Sequence, residues 1–505
     1  MKKTTITLLV VLALILTAFA PMATAADELD KNAKLTLWLP DNAASAVMPE
    51  GATVNDNPFI NAIREHTGYA NIEVELITDG SSQMNLLMAG GTYPSAIYVN
   101  SDRAFFLEYL TQGLWAPVDE AVEKYGPAIS ELLTPAVQAA TQGEDGQHYA
   151  IAMPLHTSYK GKYFSNSMYY DSAVLKELGL EVPTDADSLY NVLAAVKEKK
   201  PELIPLTLVG TDCGTLKSMF GMWTDYTIDE NGKIVNTKRE YMKDYVTYMH
   251  KLYEEGILDP ESLYQTDTER SEKIVGGKAF MTEQGVWCKS IRQAIVANGE
   301  EFTWDYLPAL ENIDGTKGNA NPFPTSNMWM FPEPSAQNMN EVVDMINTFL
   351  TDSELETFVN YGTEGVHFRY DDDGTIQSIN DNGEYDSIMY KILYRFWFKP
   401  DVWLNNAILG DFMPEIEKFT DVYTMTNYDL WGYMPTSEAS IEYKSTCNDI
   451  INEYRDKIIV GELPVDAIDE MFEKLDANGY TEIEAACQEW YDNTGKGLAE
   501  TLGLN

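Results

Sequence analysis

Basic residues, histidine and cysteine are scarce in this sequence of 505 residues. Lysine and arginine total 35 against 79 aspartates and glutamates, which gives a formal net charge of −44, and only 5 histidines and 4 cysteines are present. A surface this acidic repels phosphate backbones and anionic headgroups, which argues against nucleic acid and membrane surfaces as partners. The same acidity disfavours an anionic ligand unless a local basic patch binds it, and the sequence shows no such patch.

The four cysteines, Cys213, Cys288, Cys447 and Cys487, match no disulfide-scaffold spacing. A chain of this size does not need disulfides to fold, although four cysteines allow three full pairings. Since unpaired cysteine is among the most buried residue types, we expect free, buried thiols. CxxC, HExxH and paired-histidine spacings are missing as well, so neither a zinc or redox site nor a cofactor is expected.

A long apolar run occurs only at the N-terminus. Lys2 and Lys3 precede an apolar stretch over 6–19, and Ala23-Thr24-Ala25 has the small-x-small pattern of a cleavage site. Residues 1–25 are therefore expected to be a signal peptide of an exported protein. No cysteine follows the apolar stretch, which leaves open whether the mature protein is extracellular, retained at the cell surface or periplasmic.

The rest of the chain has the size and pattern of an α/β protein with more than one lobe. It exceeds the roughly 250–300 residues at which a single core stops growing. Strands predicted at 34–40, 72–77 and 96–99 alternate with helices, which indicates βαβ units and a largely parallel sheet. A second α/β block begins near Met153, with a capping box at Thr184 and Asp187, a strand at 206–209 and a hairpin turn at 229–232. Beyond residue 386 the chain is predicted to be mostly helical.

Six stretches together resemble one family. They are NLLMAGGTYPSAI at 85–97, DGQHYAIAMP at 145–154, KELGLEVPT at 176–184, NGKIV at 231–235, KLYEEGILDP at 251–260 and YGTEGVH at 361–367. In this order they resemble the extracellular solute-binding proteins, family 1, which capture sugars for ABC importers, and in particular their large Firmicutes-type oligosaccharide-binding branch. Two departures are the missing lipobox cysteine and Ser95, where the family usually has aspartate.

The resemblance implies a two-lobed periplasmic-binding-protein-like fold of type 2, with a ligand cleft between the lobes. Lobe 1 is expected at 27–152 plus 320–380, and lobe 2 at 153–319 plus 381–505. The hinge crossings are expected near Pro154 and at 312–324. The family further implies a monomer that binds a neutral carbohydrate, expected to be an oligosaccharide, and that delivers it to an ABC permease without catalysis.

Candidate ligand contacts follow from the chemistry of sugars and from the rule that open α/β sheets bind ligands beyond the carboxyl ends of their strands. Flat sugar faces stack on aromatic rings, and hydroxyl groups need polar partners. The predicted ligand-binding residues are Trp38, Asp41, Asp102, His156, Tyr159, Asp212, Trp223, Glu283, Trp287, Trp329, Glu364 and Trp403. Any one tryptophan is more often a core residue, and any one loop carboxylate a solvated cap.

Two other functions stay open, and a metal site is weighed and set aside. A secreted glycoside hydrolase needs two carboxylates roughly 5–10 Å apart. With 79 acidic residues in the chain, this requirement does not identify a particular pair. A peptide or amino-acid receptor needs a buried cation for the carboxylate, and the candidate loops contain Arg103 and Lys160. Asp371-Asp-Asp-Gly374 invites an EF-hand reading, but Ile376 and Asn382 stand where that loop needs glycine and glutamate, so a hairpin turn is predicted.

Overall fold

The structure is a computed structural model that describes residues 29–379 and 430–503 together with Phe396. Within these ranges it leaves out 42–47, 49, 79, 101–102, 144, 154–157, 160–161, 164–166, 285–288, 314, 316–326, 373 and 375. The predicted signal peptide therefore lies outside the described residues. No helix in the described ranges is both long and apolar enough to cross a membrane.

The strands in chain order are β1 Leu35–Pro40, β2 Ile72–Ile77, β3 Ala96–Asn100, β4 Ala150–Met153, β5 Ser158–Tyr159, β6 Lys162–Tyr163, β7 Ser167–Asp171, β8 Ile204–Thr207, β9 Tyr226–Ile228, β10 Ile234–Asn236, β11 Ala279–Gln284, β12 Trp304–Tyr306, β13 Asn327–Met330, β14 Phe368–Tyr370 and β15 Ile376–Ser378.

The α-helices are α1 Pro58–Thr67, α2 Gly80–Ala89, α3 Arg103–Thr111, α4 Asp119–Tyr125, α5 Pro127–Ser130, α6 Pro135–Thr141, α7 Ser172–Glu177, α8 Ala186–Lys199, α9 Gly214–Met219, α10 Thr237–Glu254, α11 Asp267–Val275, α12 Lys289–Ala297, α13 Met339–Thr351, α14 Ser353–Tyr361, α15 Glu438–Ile459, α16 Ala467–Asp476, α17 Tyr480–Trp490 and α18 Lys496–Leu502. Short 3-10 helices span Pro260–Leu263, Glu333–Asn338 and Leu430–Tyr433, and a π-helical turn spans Tyr491–Gly495.

Five strands form the first sheet, in the order β2-β1-β3-β13-β4. β1 runs parallel to β2 and β3, whereas β13 is antiparallel to both of its neighbours. Since β4 is in turn antiparallel to β13, it runs in the same direction as β1, β2 and β3. The prediction of a largely parallel sheet is thus confirmed, with β13 as the one reversed strand of this sheet. Alternate side chains of β1 enter two cores, one on each face of the sheet. We call the part of the chain around this sheet lobe 1.

The second sheet has four strands, in the order β12-β7-β11-β8, and β8 with β11 is its one parallel pair of neighbours. We call the part around it lobe 2. Its core takes in the apolar sides of α8, α10 and the C-terminal helices α15 to α17, among them Leu193, Tyr245 and Ile458. The strand predicted at 206–209 lies at Ile204–Thr207. The helical C-terminal region is confirmed over 438–502.

The C-terminal segment contacts both lobes. Trp431 packs against the core of lobe 2, whereas Tyr433, Trp490 and Leu498 belong to a core of lobe 1. Phe396 lies in the other core of lobe 1. The lobe boundaries predicted from the sequence stay a prediction. These contacts show that the C-terminal part of the chain packs into the cores of both lobes.

Most local predictions agree with the structure. The turns at 229–232 and 371–374 close the antiparallel hairpins β9–β10 and β14–β15. The capping box of α8 is shifted by one residue from the predicted pair, because Asp185 rather than Thr184 is the N-cap and pairs with Ser188. Cys213, Cys447 and Cys487 are free and buried as predicted, and Cys288 lies outside the described residues.

Candidate functional site

One edge of the lobe 1 sheet collects the strand ends from which a ligand site can be built. β1 and β3 end there at Pro40 and Asn100, and β4 ends there at Met153. Asn327, the first residue of the antiparallel β13, lies between Asn100 and Met153 in the register. Loops that follow parallel strands meet at a shared edge, which is where open α/β sheets bind ligands.

The lobe 2 sheet has a corresponding edge. β8 and β11 end there at Thr207 and Gln284, and Gln284 lies opposite Ser167, the first residue of β7. The chain leaves lobe 1 after Met153 and enters lobe 2 at Ser167, and it returns from β12 to β13 at Asn327. Both crossings therefore join the two strand-end edges, which places the candidate cleft between them.

Two of the predicted ligand contacts are core residues. Trp38 is 1% exposed, and its Nε1 donates to Oε2 of Glu75 on the neighbouring strand at 2.8 Å. Trp329 is fully buried in strand β13, which lies between β3 and β4, and its ring lies 5.3 and 5.5 Å from the rings of Tyr98 and Phe396. Both assignments to a ligand site are corrected, because helices cover both faces of this sheet and leave neither ring an open surface.

The predicted carboxylates have different surroundings. Asp41 follows β1 at the cleft edge, and its backbone N–H donates to the carbonyl of Ile77 at 2.9 Å. Glu283 is half-buried on β11, and its Oε1 accepts from the N–H and the hydroxyl of Thr215 at 2.9 and 2.8 Å. Glu283 thus holds the first turn of α9 beside the cleft edge. Glu364 is exposed, and its backbone pairs with Phe368 beyond α14.

Trp223 is the described tryptophan that best suits a ligand contact. It is half-buried in the loop after α9. Its Nε1 atom is buried, and no described residue accepts a hydrogen bond from it. The partial exposure of Trp223 suits stacking on a sugar face, whereas its buried N–H, like that of Trp329, does not distinguish a ligand contact from a core residue.

Five of the predicted ligand contacts remain untested. Asp102, His156, Trp287 and Trp403 lie outside the described residues. Tyr159 belongs to the short strand β5, which pairs with β6 on the first crossing. Their assignments stay predictions.

A polar cavity of about 230 Å³ lies in lobe 2 beside Trp223, since Met222 and Thr224 contribute to its wall. Parts of α9, α10 and α15 complete the wall. The charged residues that line the cavity are Asp212, Lys217, Asp225, Lys238 and Arg455. Asp212, which the sequence predicted as a ligand contact, is therefore part of a charged cluster.

The charges of the cavity wall form two groups. Nζ of Lys217 lies 2.8 Å from Oδ1 of Asp212, and Nη1 of Arg455 lies 3.3 Å from the same oxygen. Burial would raise the pKa of Asp212, but the two cations outweigh it and hold that pKa below its ordinary value. Lys238 pairs with Asp225.

The second pair keeps both of its charges as well. Burial opposes ionisation of Asp225, yet Lys238 brings the pKa of that carboxyl below its ordinary value. Burial likewise opposes the charge of Lys238, and Asp225 outweighs it and raises the pKa of the lysine. The wall thus carries charges of both signs at neutral pH.

The sequence did not single out Lys217, Asp225, Lys238 or Arg455. Arg455 and Asp212 are separated by more than 240 residues, and a helical arginine in an acidic chain reads as a solvated surface residue. The structure buries Arg455 to 7% exposure. Among the described residues, no three His, Cys, Asp or Glu side chains are arranged to hold a metal ion.

Two α/β lobes whose strand-end edges are joined by chain crossings define a two-lobed ligand-binding protein. The family is given by the sequence model for bacterial extracellular solute-binding proteins, which matches residues 59–363, more than half of the chain. The chain belongs to this family, which confirms the resemblance inferred from the sequence.

Two named proteins have sequences similar to that of this chain. Lipoprotein LipO of Bacillus subtilis is 23% identical over 499 residues, which cover 89% of this chain and 92% of LipO. The fructooligosaccharide ABC transporter substrate-binding protein FusA of Streptococcus pneumoniae is 23% identical over 295 residues, which cover 54% of this chain and 53% of FusA.

Solved structures confirm the two-lobed fold. FusA of Streptococcus pneumoniae in complex with kestose has a TM-score of 0.69 at 18% identity and covers 92% of this chain and 100% of that chain. An HMO-binding, ABC-transporter-associated solute-binding protein from Bifidobacterium longum infantis has a TM-score of 0.70 at 16% identity and covers 92% and 99%.

Proposed function

We propose that this protein captures an oligosaccharide in the cleft between its lobes and delivers it to the transmembrane subunits of an ABC permease. The observation that carries the proposal is the direction of the two sheets, since the strand-end edges of both lobes are joined by the chain crossings. Ligand sites of α/β sheets lie at such edges. The similarity to FusA, whose name records fructooligosaccharide binding, supports a saccharide as the ligand.

The proposal includes closure of the cleft. The hinge predicted near Pro154 and at 312–324 falls on the two crossings, mostly outside the described residues. Binding proteins of this architecture close by rotation about a few such residues. Small-angle scattering with and without a saturating saccharide should show a smaller radius of gyration in the complex. An unchanged radius, with binding established separately, contradicts closure.

We further propose that the protein is exported, acts as a monomer and leaves its ligand chemically unchanged. The predicted signal peptide and the family support export. A glycoside hydrolase remains the alternative. The two functions are distinguished by whether the bound oligosaccharide is cleaved. Hydrolysis of a bound oligosaccharide that is abolished by replacing one carboxylate would replace the receptor proposal with a hydrolase.

A peptide or amino-acid receptor is the second candidate, and one observation favours it. Such a receptor needs a buried cation for the ligand carboxylate, and Arg455 is buried beside the candidate cleft edge. The oligosaccharide is preferred because the similar proteins with a stated ligand bind saccharides.

The test is a thermal-shift screen of the purified mature protein against oligosaccharides, amino acids and short peptides. A ligand that binds only the folded state raises the unfolding midpoint by mass action. A shift with one class of oligosaccharide, confirmed by calorimetry and unchanged ligand on chromatography, supports the proposal. A shift with peptides alone overturns it.

A further inference from the structure

The guanidinium of Arg455 keeps hydrogen-bonding capacity that no described residue uses. Its Nε donates to Oγ1 of Thr211 at 3.1 Å and to Oδ1 of Asp456 at 2.9 Å, and its Nη1 donates to Oδ1 of Asn452 at 2.9 Å. None of the described residues accepts a hydrogen bond from Nη2. A guanidinium has five N–H donors, so Nη2 can bond an acceptor that enters the cavity while the other bonds of Arg455 are kept.

The two lysines of the cavity also have spare donors. Nζ of Lys217 has Asp212 as its partner, and Nζ of Lys238 has Asp225. An ammonium group has three donors, so each of these lysines can bond a ligand while keeping its ion pair. The open donors of Lys217, Lys238 and Arg455 belong to the wall of one cavity.

The wall of the cavity has a cationic excess, in contrast to the protein as a whole. Three cations line it against two carboxylates. Asp456 offsets part of the Arg455 charge, but it bonds Nε and does not line the cavity. A group that fills the open donors and balances the excess must be an acceptor with negative charge. A carboxylate has both properties and matches the fork of a guanidinium.

We propose that this cavity binds a carboxylate group of the transported ligand. The inference rests on the proposed function, under which the carboxylate belongs to a uronic acid residue of an oligosaccharide. At about 230 Å³ the cavity is smaller than the 300 Å³ or so at which pockets for whole ligands begin, so it receives one acidic end. Trp223 does not line the cavity, but both of its chain neighbours do, so its ring is a candidate to stack on the adjoining sugar. This proposal differs from the neutral ligand that the acidic composition and the family resemblance led us to expect.

The test compares each acid with its own methyl ester, so that only the charge of the ligand changes. Oligosaccharides that end in glucuronate, galacturonate or mannuronate are titrated into the mature protein by calorimetry, beside neutral oligosaccharides and dipeptides. We expect one uronate to bind about 10- to 100-fold more tightly than its ester, the range for hydrogen bonds to a charged partner.

Variants connect this preference to the cavity. Lys217→Gln removes one cation from the wall and should reduce the preference for the acid over the ester about tenfold. Lys200→Gln is the matched control, because Lys200 is also on lobe 2, is 23% exposed against 25% for Lys217, and pairs with Glu177 at 2.7 Å. The control should keep the full preference. Arg455→Gln, checked for a native melting profile, should reduce the preference as well.

The outcomes separate this inference from the proposed function. If saccharides bind but acid and ester bind equally, or if both cavity variants keep the preference, the carboxylate site is wrong and the oligosaccharide receptor stands. If dipeptides alone bind and depend on Lys217, the carboxylate site stands and the ligand class is wrong. If no probe of either class binds, both proposals fail.

Discussion

The indole N–H of Trp431 donates to the backbone carbonyl of Tyr226 at 2.6 Å, and the rings of the two residues meet edge to face at 5.1 Å. These residues are 205 positions apart and connect the C-terminal segment to hairpin β9–β10 of lobe 2. Two residues further on, the hydroxyl of Tyr433 donates to the carbonyl of Ala136 in α6 of lobe 1 at 3.4 Å. The short helix Leu430–Tyr433 thus contacts both lobes.

Trp431→Phe should lower the free energy of unfolding, because it removes this hydrogen bond while keeping an aromatic ring. The loss attributable to the bond should be about 0.5–1.5 kcal/mol. Denaturant unfolding followed by circular dichroism measures it. Trp490→Phe is the control, since its ring lies 5.7 Å from that of Trp431 and its N–H has no hydrogen-bond partner among the described residues. Equal losses in both variants would mean that ring size alone matters.

Asp352 combines two roles that make stability depend on pH. Its Oδ1 caps α14 by accepting from the N–H groups of Glu354 and Leu355 at 3.0 Å each, and its Oδ2 lies 2.7 Å from Nδ1 of His66. Burial opposes ionisation of Asp352, but the bonds to His66 and the helix outweigh it and lower the pKa of the carboxyl.

A carboxyl whose pKa is lower in the folded protein stabilises the fold fully above its unfolded pKa of about 3.9 and loses that contribution as pH falls through the folded value. Asp352→Asn should therefore be less stable than wild type by about 0.3–1 kcal/mol above pH 5. The difference should shrink toward pH 2.5 in thermal melts. Asp187→Asn, an exposed change in the first turn of α8, should show a smaller difference and controls for net charge. A constant difference across the range contradicts the assignment.

Sequence patterns predicted structure well where neighbouring residues decide it. The period-two alternation of 72–77 gave the strand bounds of β2, because each side chain there faces either a core or solvent. The capping box of α8 was misplaced by one residue because Thr184, Asp185 and Ser188 all have capping oxygens. The choice among them depends on backbone angles that the sequence does not display.

The candidate site was harder to predict because it depends on contacts between distant parts of the chain. Trp38 and Trp329 lie on predicted strands close to strand-end loops, where a ligand contact is expected. Their burial became clear only from the structure, in which helices cover both faces of the sheet. Arg455 gave no local signal, since its partners Thr211 and Asp212 lie in another part of the chain. Trp223 was singled out because it lies next to a predicted loop after a strand, and its role as a ligand contact stays a prediction.

A side chain at Gly479 would be unfavourable for two reasons, the backbone conformation and a steric overlap. Its φ is 85°, and an added Cβ would overlap the ring of Tyr443. Gly232, at φ 78° in the β9–β10 turn, has open space around the same position and isolates the backbone effect. Gly232→Ala should destabilise the protein by about 1–2 kcal/mol, the cost of a left-handed residue with a Cβ.

Gly479→Ala should cost about 1–3 kcal/mol more than Gly232→Ala, because the ring of Tyr443 must also move. Thermal denaturation of the two variants measures the difference. The double variant Gly479→Ala with Tyr443→Ala should recover part of the steric loss but none of the backbone loss. Equal destabilisation in the two single variants would show that the ring gives way freely.

Trp223→Ala tests the predicted contact between this ring and the ligand. If the ring stacks on a sugar in the cleft, the substitution should weaken saccharide binding by about 1–3 kcal/mol in calorimetry. Ligand should also change the intrinsic tryptophan fluorescence of wild type, and this change should decrease in the variant. The melting midpoint without ligand should fall only slightly, since Trp223 is half-buried.

The matched control is Trp329→Ala, which removes a ring that is fully buried in lobe 1. Its loss should cost about 3–5 kcal/mol of stability, because the cavity it leaves cannot collapse in the middle of a sheet. Where that variant still folds, its affinity for the saccharide should stay near wild type. The reverse pattern, with Trp223→Ala melting early and binding normally, would assign Trp223 to the core and move the stacking surface to another aromatic residue of the cleft.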